Sequence, residues 1–169
     1  MVKRRHLLIG FLILLGGILL WKILFPSEEK RVIQRFELLS RYTEKKANED
    51  ILSTANRIKN LSQLFANPCE FKIEGDPFYS FTGSYSREEI GGYALRGRSY
   101  FLDLSLNFSD YKIKFSDRET AQVQLIGRLT GKTTAGERVD EVRELLCMLK
   151  KIEKAWLIAR LEVVEVLKR

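Results

Sequence analysis

The last part of the chain carries the pattern that most limits the fold. From Thr120 to Leu167 the sequence divides into three segments separated by two short turns. In the first segment Ala121, Val123 and Leu125 alternate with polar residues, which is the two-residue period of a half-buried strand. The third segment is apolar on both faces, as expected of a central strand. The pattern predicts three long antiparallel strands.

The middle segment, Val139 to Leu149, has two interpretations. As a strand it places Leu145, Cys147 and Leu149 on one face, after a more polar start. Its Glu, Arg and Leu residues also favour a helix, so a helix over Val139 to Lys151 is the competing interpretation. We expect the strand, because glycines and threonines typical of a turn precede the segment.

An uncharged apolar stretch lies near the N-terminus. It runs from Leu7 to Trp21 and resumes after Lys22 to end at Phe25. A helix over residues 7–25 would be roughly 28 Å long, close to the hydrocarbon thickness of a bilayer. We therefore predict a single transmembrane helix over these residues.

The flanking charges predict the orientation of that helix. Residues 1–6 hold three basic residues, so the positive-inside rule predicts a cytoplasmic N-terminus. Residues 26–169 would then form a domain outside the cytoplasm, periplasmic in a cell with two membranes, and anchored to the cytoplasmic (inner) membrane. A cleaved signal peptide is the alternative, but bulky residues from Leu20 to Phe25 leave no small-residue cleavage site.

Charge argues against a nucleic-acid partner. The net charge is +7, but four basic residues and no acidic residue precede Pro26. The remainder carries +3 and mixes both signs along every segment, which is typical of a solvated surface rather than of a basic stripe.

Helices are predicted in the first half of the domain. Apolar residues recur at helical spacing from Val32 to Tyr42, and again from Ile51 to Phe65, where Asn67-Pro68 would end the second helix. Ser86 and Glu89 form a capping box that opens a third helix.

Shorter strands are predicted around the third helix. Alternation from Cys69 to Ile73 predicts a short strand before it. Alternation from Leu102 to Phe108 predicts a longer strand after it, continued by Tyr111 to Phe115 beyond a bulge or turn at Ser109-Asp110.

The order of these elements resembles the nuclear transport factor 2-like superfamily, which includes SnoaL-like and cystatin-like proteins. The resemblance covers Glu28 to Leu167 and also rests on Ser86-Arg-Glu-Glu-Ile, Ala121-Gln-Val, and Lys154-Ala-Trp-Leu-Ile before Val163-Val164. It implies an α+β cone in which a curved, mostly antiparallel sheet wraps three helices and leaves a cavity at its open end.

The superfamily includes enzymes, ligand-binding proteins and assembly modules, so the fold alone decides no function. The layout is similar to the membrane-anchored scaffold subunit of type IV secretion systems. We expect a non-enzymatic module for protein interaction or assembly, either in a membrane complex or as the homodimer that the resemblance implies. The alternative is a cavity that binds a small apolar ligand or acts as an isomerase or dehydratase.

Candidate catalytic groups are few. The only histidine, His6, lies beside the apolar stretch, so the domain has no histidine to act as a base or a metal ligand, and we predict no metal and no cofactor. Isomerase-type chemistry needs only carboxylates and a tyrosine. We interpret the available carboxylates as solvated surface groups: Asp103, Asp110, Asp117 and Glu144.

Aromatic residues are the candidates for a ligand pocket. Four of them crowd the segment from Phe78 to Tyr85, which we interpret as a loop that either lines or plugs the mouth of the cone. The pocket candidates are Phe78, Tyr79, Phe81, Tyr85, Tyr93 and Trp156.

The two cysteines, Cys69 and Cys147, fall on predicted inward strand positions. A disulfide is permitted outside the cytoplasm, and two free buried thiols are the alternative.

Overall fold

The computed structural model describes residues 27–73 and 81–166. Within these ranges no helix combines the length and the apolar composition needed to cross a membrane. The predicted transmembrane helix at residues 7–25 lies outside the described residues. The chain divides into two units, residues 1–31 and 32–169, and the sheet belongs to the second unit.

The described residues form three helices: α1 (Glu28–Thr43), α2 (Ile51–Ser62) and α3 (Arg87–Ser99). The capping box predicted for α3 is confirmed, because the backbone N–H of Ser86 donates to Glu89 Oε2 at 2.8 Å and the Glu89 N–H donates to Ser86 Oγ at 3.3 Å. Asp50 caps α2 by accepting the Ser53 N–H at 2.9 Å.

Six strands form one sheet in the order β2-β1-β6-β5-β4-β3. Neighbouring strands are antiparallel except for β1 and β6, which are parallel. The strands are β1 (Phe65–Ile73), β2 (Phe81–Tyr85), β3 (Phe101–Phe115), β4 (Thr120–Thr133), β5 (Arg138–Ile152) and β6 (Ala155–Val166).

The three predicted C-terminal strands are confirmed, and so is the α+β class. The helical interpretation of Val139 to Lys151 is wrong, because β5 pairs with β4 on one side and β6 on the other. The predicted irregularity at Ser109-Asp110 is confirmed as a bulge: the β3–β4 register shifts there, and Asp110 has a φ of 55°.

The prediction that the second helix extends to Phe65 is wrong. Helix α2 ends at Ser62, and Phe65 already opens β1 opposite Ile158 of β6. The Ile158 N–H donates to the Leu64 carbonyl at 2.9 Å. Pro68 has no N–H for the ladder, and the register shifts between Phe65 and Glu70. Strand pairing therefore overrides the helical periodicity.

The interpretation of Phe78 to Tyr85 as a loop is wrong for its second half. Residues Phe81–Tyr85 form β2, which pairs antiparallel with β1 from Cys69 opposite Tyr85 to Ile73 opposite Phe81. Because β2 pairs with β1 and stands first in the strand order, it forms one edge of the sheet.

Candidate functional site

An apolar cavity of about 330 Å³ lies between the three helices and the inward face of the sheet. Four aromatic side chains and a larger set of aliphatic ones line it. The aromatic residues are Phe65, Phe71, Tyr93 and Phe101; the aliphatic residues are Leu39, Leu61, Ile90, Ala94, Leu104, Leu129 and Leu161.

The spacing of the sequence explains why these side chains meet. Ile90, Ala94 and Gly97 recur three or four residues apart, so one side of α3 faces the cavity. On the sheet, Phe71 of β1 pairs with Leu161 of β6, and both side chains line the cavity. Helical and strand periods thus place apolar groups on opposite walls.

The mouth of the cavity lies beside α3. Of the lining residues, only Tyr93 and Gly97 are exposed. The Tyr93 ring lies edge-on to the Tyr85 ring, with centroids 5.6 Å apart, and the Arg96 guanidinium carbon lies 5.7 Å from the Tyr93 centroid. These contacts fix Tyr93 at the entrance.

A buried arginine lines the polar part of the wall. Arg98 is 3% exposed and donates to the carbonyls of Tyr42, Thr43 and Glu44 at 3.0, 2.6 and 2.6 Å, where α1 ends. It also pairs with the Glu49 carboxylate. Burial lowers the pKa of the Arg98 guanidinium, whereas the charge of Glu49 raises it. Arg98 therefore joins the end of α1 to α3.

The described lining of the cavity holds few ionisable groups. No carboxylate is among the described residues that line the cavity, and Tyr93 and Arg98 are its ionisable groups. The candidate carboxylates lie elsewhere: Asp103, Asp110 and Asp117 are exposed, and Glu144 accepts a hydrogen bond from the Gln124 side chain. In the described ranges no three metal-ligating side chains come together.

The other aromatic candidates divide into three groups. Phe78 and Tyr79 lie outside the described residues, and Phe81 is described only by its place in β2. Tyr85 is half-buried and reaches the cavity wall through its contacts with Phe71, at 5.9 Å between centroids, and with Tyr93. Trp156 does not line the cavity. It is fully buried, and its ring lies 5.8 Å from that of Phe115 at the other end of β3.

The two cysteines are free and buried in this structure. Cys69 lies in β1 and Cys147 in β5, with β6 between them. Two strand spacings come to roughly 10 Å, whereas the Cα atoms of a disulfide lie at most about 6.8 Å apart. A disulfide would require the sheet to move, and the pairing stays a prediction.

Several cavity residues were not singled out from the sequence. Phe71 and Leu104 had a usable signal, because both fall on the apolar side of an alternating segment. Glu49 does not line the cavity but pairs with Arg98 of the lining, and it had no signal, since nothing in the polar stretch between α1 and α2 distinguishes a buried carboxylate from a solvated one.

No protein-family model matches the chain, and no curated protein sequence matches it. Solved structures do match. A protein from Kribbella flavida aligns with a TM-score of 0.70 and 9% identity, over 83% of this chain and 91% of its own. A proposed scytalone dehydratase from Novosphingobium aromaticivorans aligns with a TM-score of 0.64 and 18% identity, over 83% and 85%.

A third match is a cystatin-like protein of unknown function from Nostoc punctiforme, with a TM-score of 0.61 and 10% identity over 84% of this chain and 92% of its own. The matching structures also include a hexachlorocyclohexane dehydrochlorinase. At such identities the likeness shows the fold alone. The chain has the nuclear transport factor 2-like, cystatin-like cone fold, as the sequence resemblance implied.

Proposed function

We propose that the chain is a membrane-anchored, extracytoplasmic domain whose cavity binds a small apolar molecule without transforming it. The lining of the cavity carries the proposal: four aromatic rings and seven aliphatic residues surround about 330 Å³. Binding pockets for small molecules are typically of this size and predominantly apolar. The apolar stretch at residues 7–25 supports the anchor.

The arrangement around Arg98 favours binding without catalysis. A general acid or base must lie within hydrogen-bonding reach of the group it protonates or deprotonates. The Arg98 guanidinium donates through Nη1 to three main-chain carbonyls and pairs through Nη2 with Glu49, so these donors serve the fold, whereas its buried Nε–H has no hydrogen-bond partner among the described residues. Tyr93 is the remaining ionisable side chain of the lining.

The proposal is tested with the full chain in detergent and N-phenyl-1-naphthylamine, an uncharged apolar probe. A ligand that binds only the folded state raises the melting temperature. We expect the probe to raise the melting temperature of the wild type, measured by circular dichroism. The effect should be lost in Ala94→Phe, which places a ring in the cavity, and in Gly97→Leu, which narrows the mouth.

The matched control is Lys114→Phe, which adds a ring at an exposed position of β3 outside the cavity. It should respond to the probe as the wild type does. An equal response from the wild type and both cavity variants, or no response from the wild type, would overturn the proposal.

Protein interaction or assembly is the second candidate function, and the outward face of the sheet favours it. Leu146 on β5 and Val164 on β6 are large apolar residues that remain exposed there. Exposed apolar patches on a sheet are typical of interaction sites. We expect Leu146→Glu to abolish self-association or partner capture measured by chemical crosslinking in membranes; unchanged crosslinking would reject this candidate.

A further inference from the structure

Two buried side-chain polar atoms lack a hydrogen-bond partner among the described residues, and both belong to the ion pair of Arg98 with Glu49. They are Arg98 Nε and Glu49 Oε1. Glu49 Oε1 lies 2.7 Å from Arg57 Nε, so an opposite charge compensates it. The Nε–H of Arg98 is then the buried donor that still needs an acceptor. A donor of this kind costs free energy in the folded state, and each such group in a native structure calls for an explanation.

The position of Arg57 explains why this donor is left over. An arginine and a carboxylate frequently pair through two parallel hydrogen bonds, which engage two nitrogens of the guanidinium. Here two arginines share the carboxylate of Glu49: Oε2 accepts from Arg98 Nη2, and Oε1 faces Arg57 Nε. Arg98 therefore holds Glu49 by a hydrogen bond from one nitrogen only, and its Nε–H is not used by the pair.

Arg98 brings this donor to the wall of an apolar cavity. It is the only charged residue in the described lining, and Thr43, whose carbonyl accepts from Arg98 Nη1 at 2.6 Å, lines the cavity with it. A buried water makes about three hydrogen bonds to polar groups, and the described lining offers few such groups. An oxygen atom of a bound ligand is therefore the acceptor that suits this wall.

The charges around Arg98 favour an anionic acceptor. Arg98 and Arg57 share the single charge of Glu49. Lys45 adds a third cation, because its Nζ donates to the main-chain carbonyl of Arg98 at 3.1 Å. The carboxylate of Glu44 lies 3.9 Å from the ammonium of an exposed lysine two residues further on. Burial lowers the pKa of the Arg98 guanidinium even though the charge of Glu49 raises it, so the pair does not offset the lost hydration of the cation.

We propose that the ligand of the cavity is an apolar monocarboxylate, whose carboxylate accepts the Nε–H of Arg98 and whose chain lies along the apolar lining. The inference rests on the proposed function and names the class of ligand for the same cavity. Hydrogen bonds between a guanidinium and a carboxylate are stronger than those between neutral groups. Ile90 and Arg98 both line the cavity and lie about 12 Å apart along α3. An elongated molecule with one charged end matches a wall that is polar at one end only.

Arg57→Gln tests the inference without changing the cavity lining. It releases Glu49 Oε1, which Arg98 then binds through Nε, so that the unpaired donor and the additional positive charge are lost together. Displacement of bound N-phenyl-1-naphthylamine is followed by fluorescence, with the full chain in a nonionic detergent at neutral pH. In the wild type, decanoate should displace the probe at a concentration about tenfold lower than methyl decanoate does. In Arg57→Gln this ratio should fall to about one.

The matched control is Arg41→Gln, which removes the same charge from an exposed side chain. It keeps the main-chain carbonyl that accepts from Arg57 Nη1 at 2.5 Å. Its ratio of decanoate to methyl decanoate should equal that of the wild type. Because the ratio is compared between proteins, the different partition of the two compounds into detergent does not affect the result.

A measurement on the unaltered chain keeps the test independent of whether the variants fold. In the protein labelled with ¹⁵N at arginine, decanoate should shift the Nε–H resonance of Arg98 and slow its exchange with water, and methyl decanoate should do so less. If the probe raises the melting temperature of the wild type but decanoate is not preferred, or the Nε–H resonance does not respond, Arg98 does not bind a carboxylate and the inference fails. If the wild type does not respond to the probe, the proposed function fails as well.

Discussion

The interior of the domain is filled at one end and open at the other. At the filled end, Trp156 and Phe36 are completely buried. The centroid of the Phe36 ring lies 5.5 Å from that of Phe108 and 5.9 Å from that of Tyr111. At the open end, the ring centroids of Phe65 and Phe71 lie 5.7 Å apart on one wall of the cavity. Rings fill the space at one end and surround it at the other.

The same elements run through both ends. Helix α1 contributes Phe36 to the filled end and Leu39 to the cavity lining, and β6 likewise contributes Trp156 and Leu161. The difference therefore arises from the size and position of side chains along shared elements, not from a change of fold. Dense packing stabilises the filled end, and the open end keeps a volume that a ligand can occupy.

The largest expected effect compares one substitution at the two ends. Phe36→Ala removes a fully buried ring and should lower the free energy of unfolding by about 3–5 kcal/mol. Phe71→Ala removes a half-buried ring that already borders the cavity, so fewer contacts are lost and the cost should be clearly smaller. Urea unfolding of the full chain measures both.

Equal losses for Phe36→Ala and Phe71→Ala would contradict the comparison, because they would mean that the open end is packed as densely as the filled end. Leu39→Ala provides a check on the same helix as Phe36. Its side chain is buried but lines the cavity, so that part of the space it leaves is already open.

The second effect concerns Arg98, which joins the end of α1 to α3 in the wall of the cavity. Arg98→Met should cost about 3 kcal/mol, because it leaves Glu49 without one of its cations and three carbonyls without donors. Arg57 still pairs with Glu49 at 2.7 Å and limits the loss. Urea unfolding should show that the double variant Arg98→Met, Glu49→Gln loses less free energy of unfolding than the sum of the losses in the two single variants. Additive losses would mean that Arg98 and Glu49 do not stabilise each other.

The filled end was easier to predict from sequence than the open end. Val123 and Leu149 lie in long segments whose period is set by local alternation, and the predicted strands place both inside. The cavity depends on which inward side chains fail to meet across the sheet. Periodicity places Phe71 and Leu161 inside, but it does not show that a gap separates them from α3.

The errors of prediction have the same cause. Phe65 fits the helical period of α2, yet parallel pairing with β6 places it in a strand. Phe81 and Tyr85 fit an aromatic loop, yet pairing with β1 makes them the edge of the sheet. In both places contacts between residues far apart in sequence outweigh the local pattern.

Thiol chemistry distinguishes the two ends by access. Cys69 and Cys147 are fully buried in the core, and burial raises the pKa of the Cys69 thiol to about 12 and also raises the pKa of Cys147. Neither should react with Ellman's reagent in the folded chain, and both should react after unfolding without reductant. Gly97→Cys, at the mouth, should react at once. Failure of the native thiols to react after unfolding would indicate a disulfide.

The same shift predicts a dependence on pH. The Cys69 thiol ionises at an ordinary pKa of 9.0 in the unfolded chain and near 12 in the folded one, so the folded state holds the proton more tightly. The contribution of the Cys69 thiol to the free energy of unfolding is fully present below about pH 9 and is lost as the pH rises towards about 12. Urea unfolding at increasing pH should show this decline, and Cys69→Ala should reduce its slope. Tyr111, whose pKa burial also raises to about 12, contributes in the same direction.

The smallest expected effect concerns the helix beside the cavity. A Cβ at Gly92 would meet nothing within 4 Å, so Gly92→Ala should stabilise α3 by up to about 1 kcal/mol through helix propensity alone. Gly91→Ala is a second variant of the same kind, because its Cβ would lie 3.5 Å from the Ile58 side chain at an ordinary contact distance. Hydrogen exchange of α3 should slow in both variants while that of β5 stays unchanged. Exchange that slows equally in β5 would mean that α3 opens only when the filled end unfolds, and the open end would then have no separate stability.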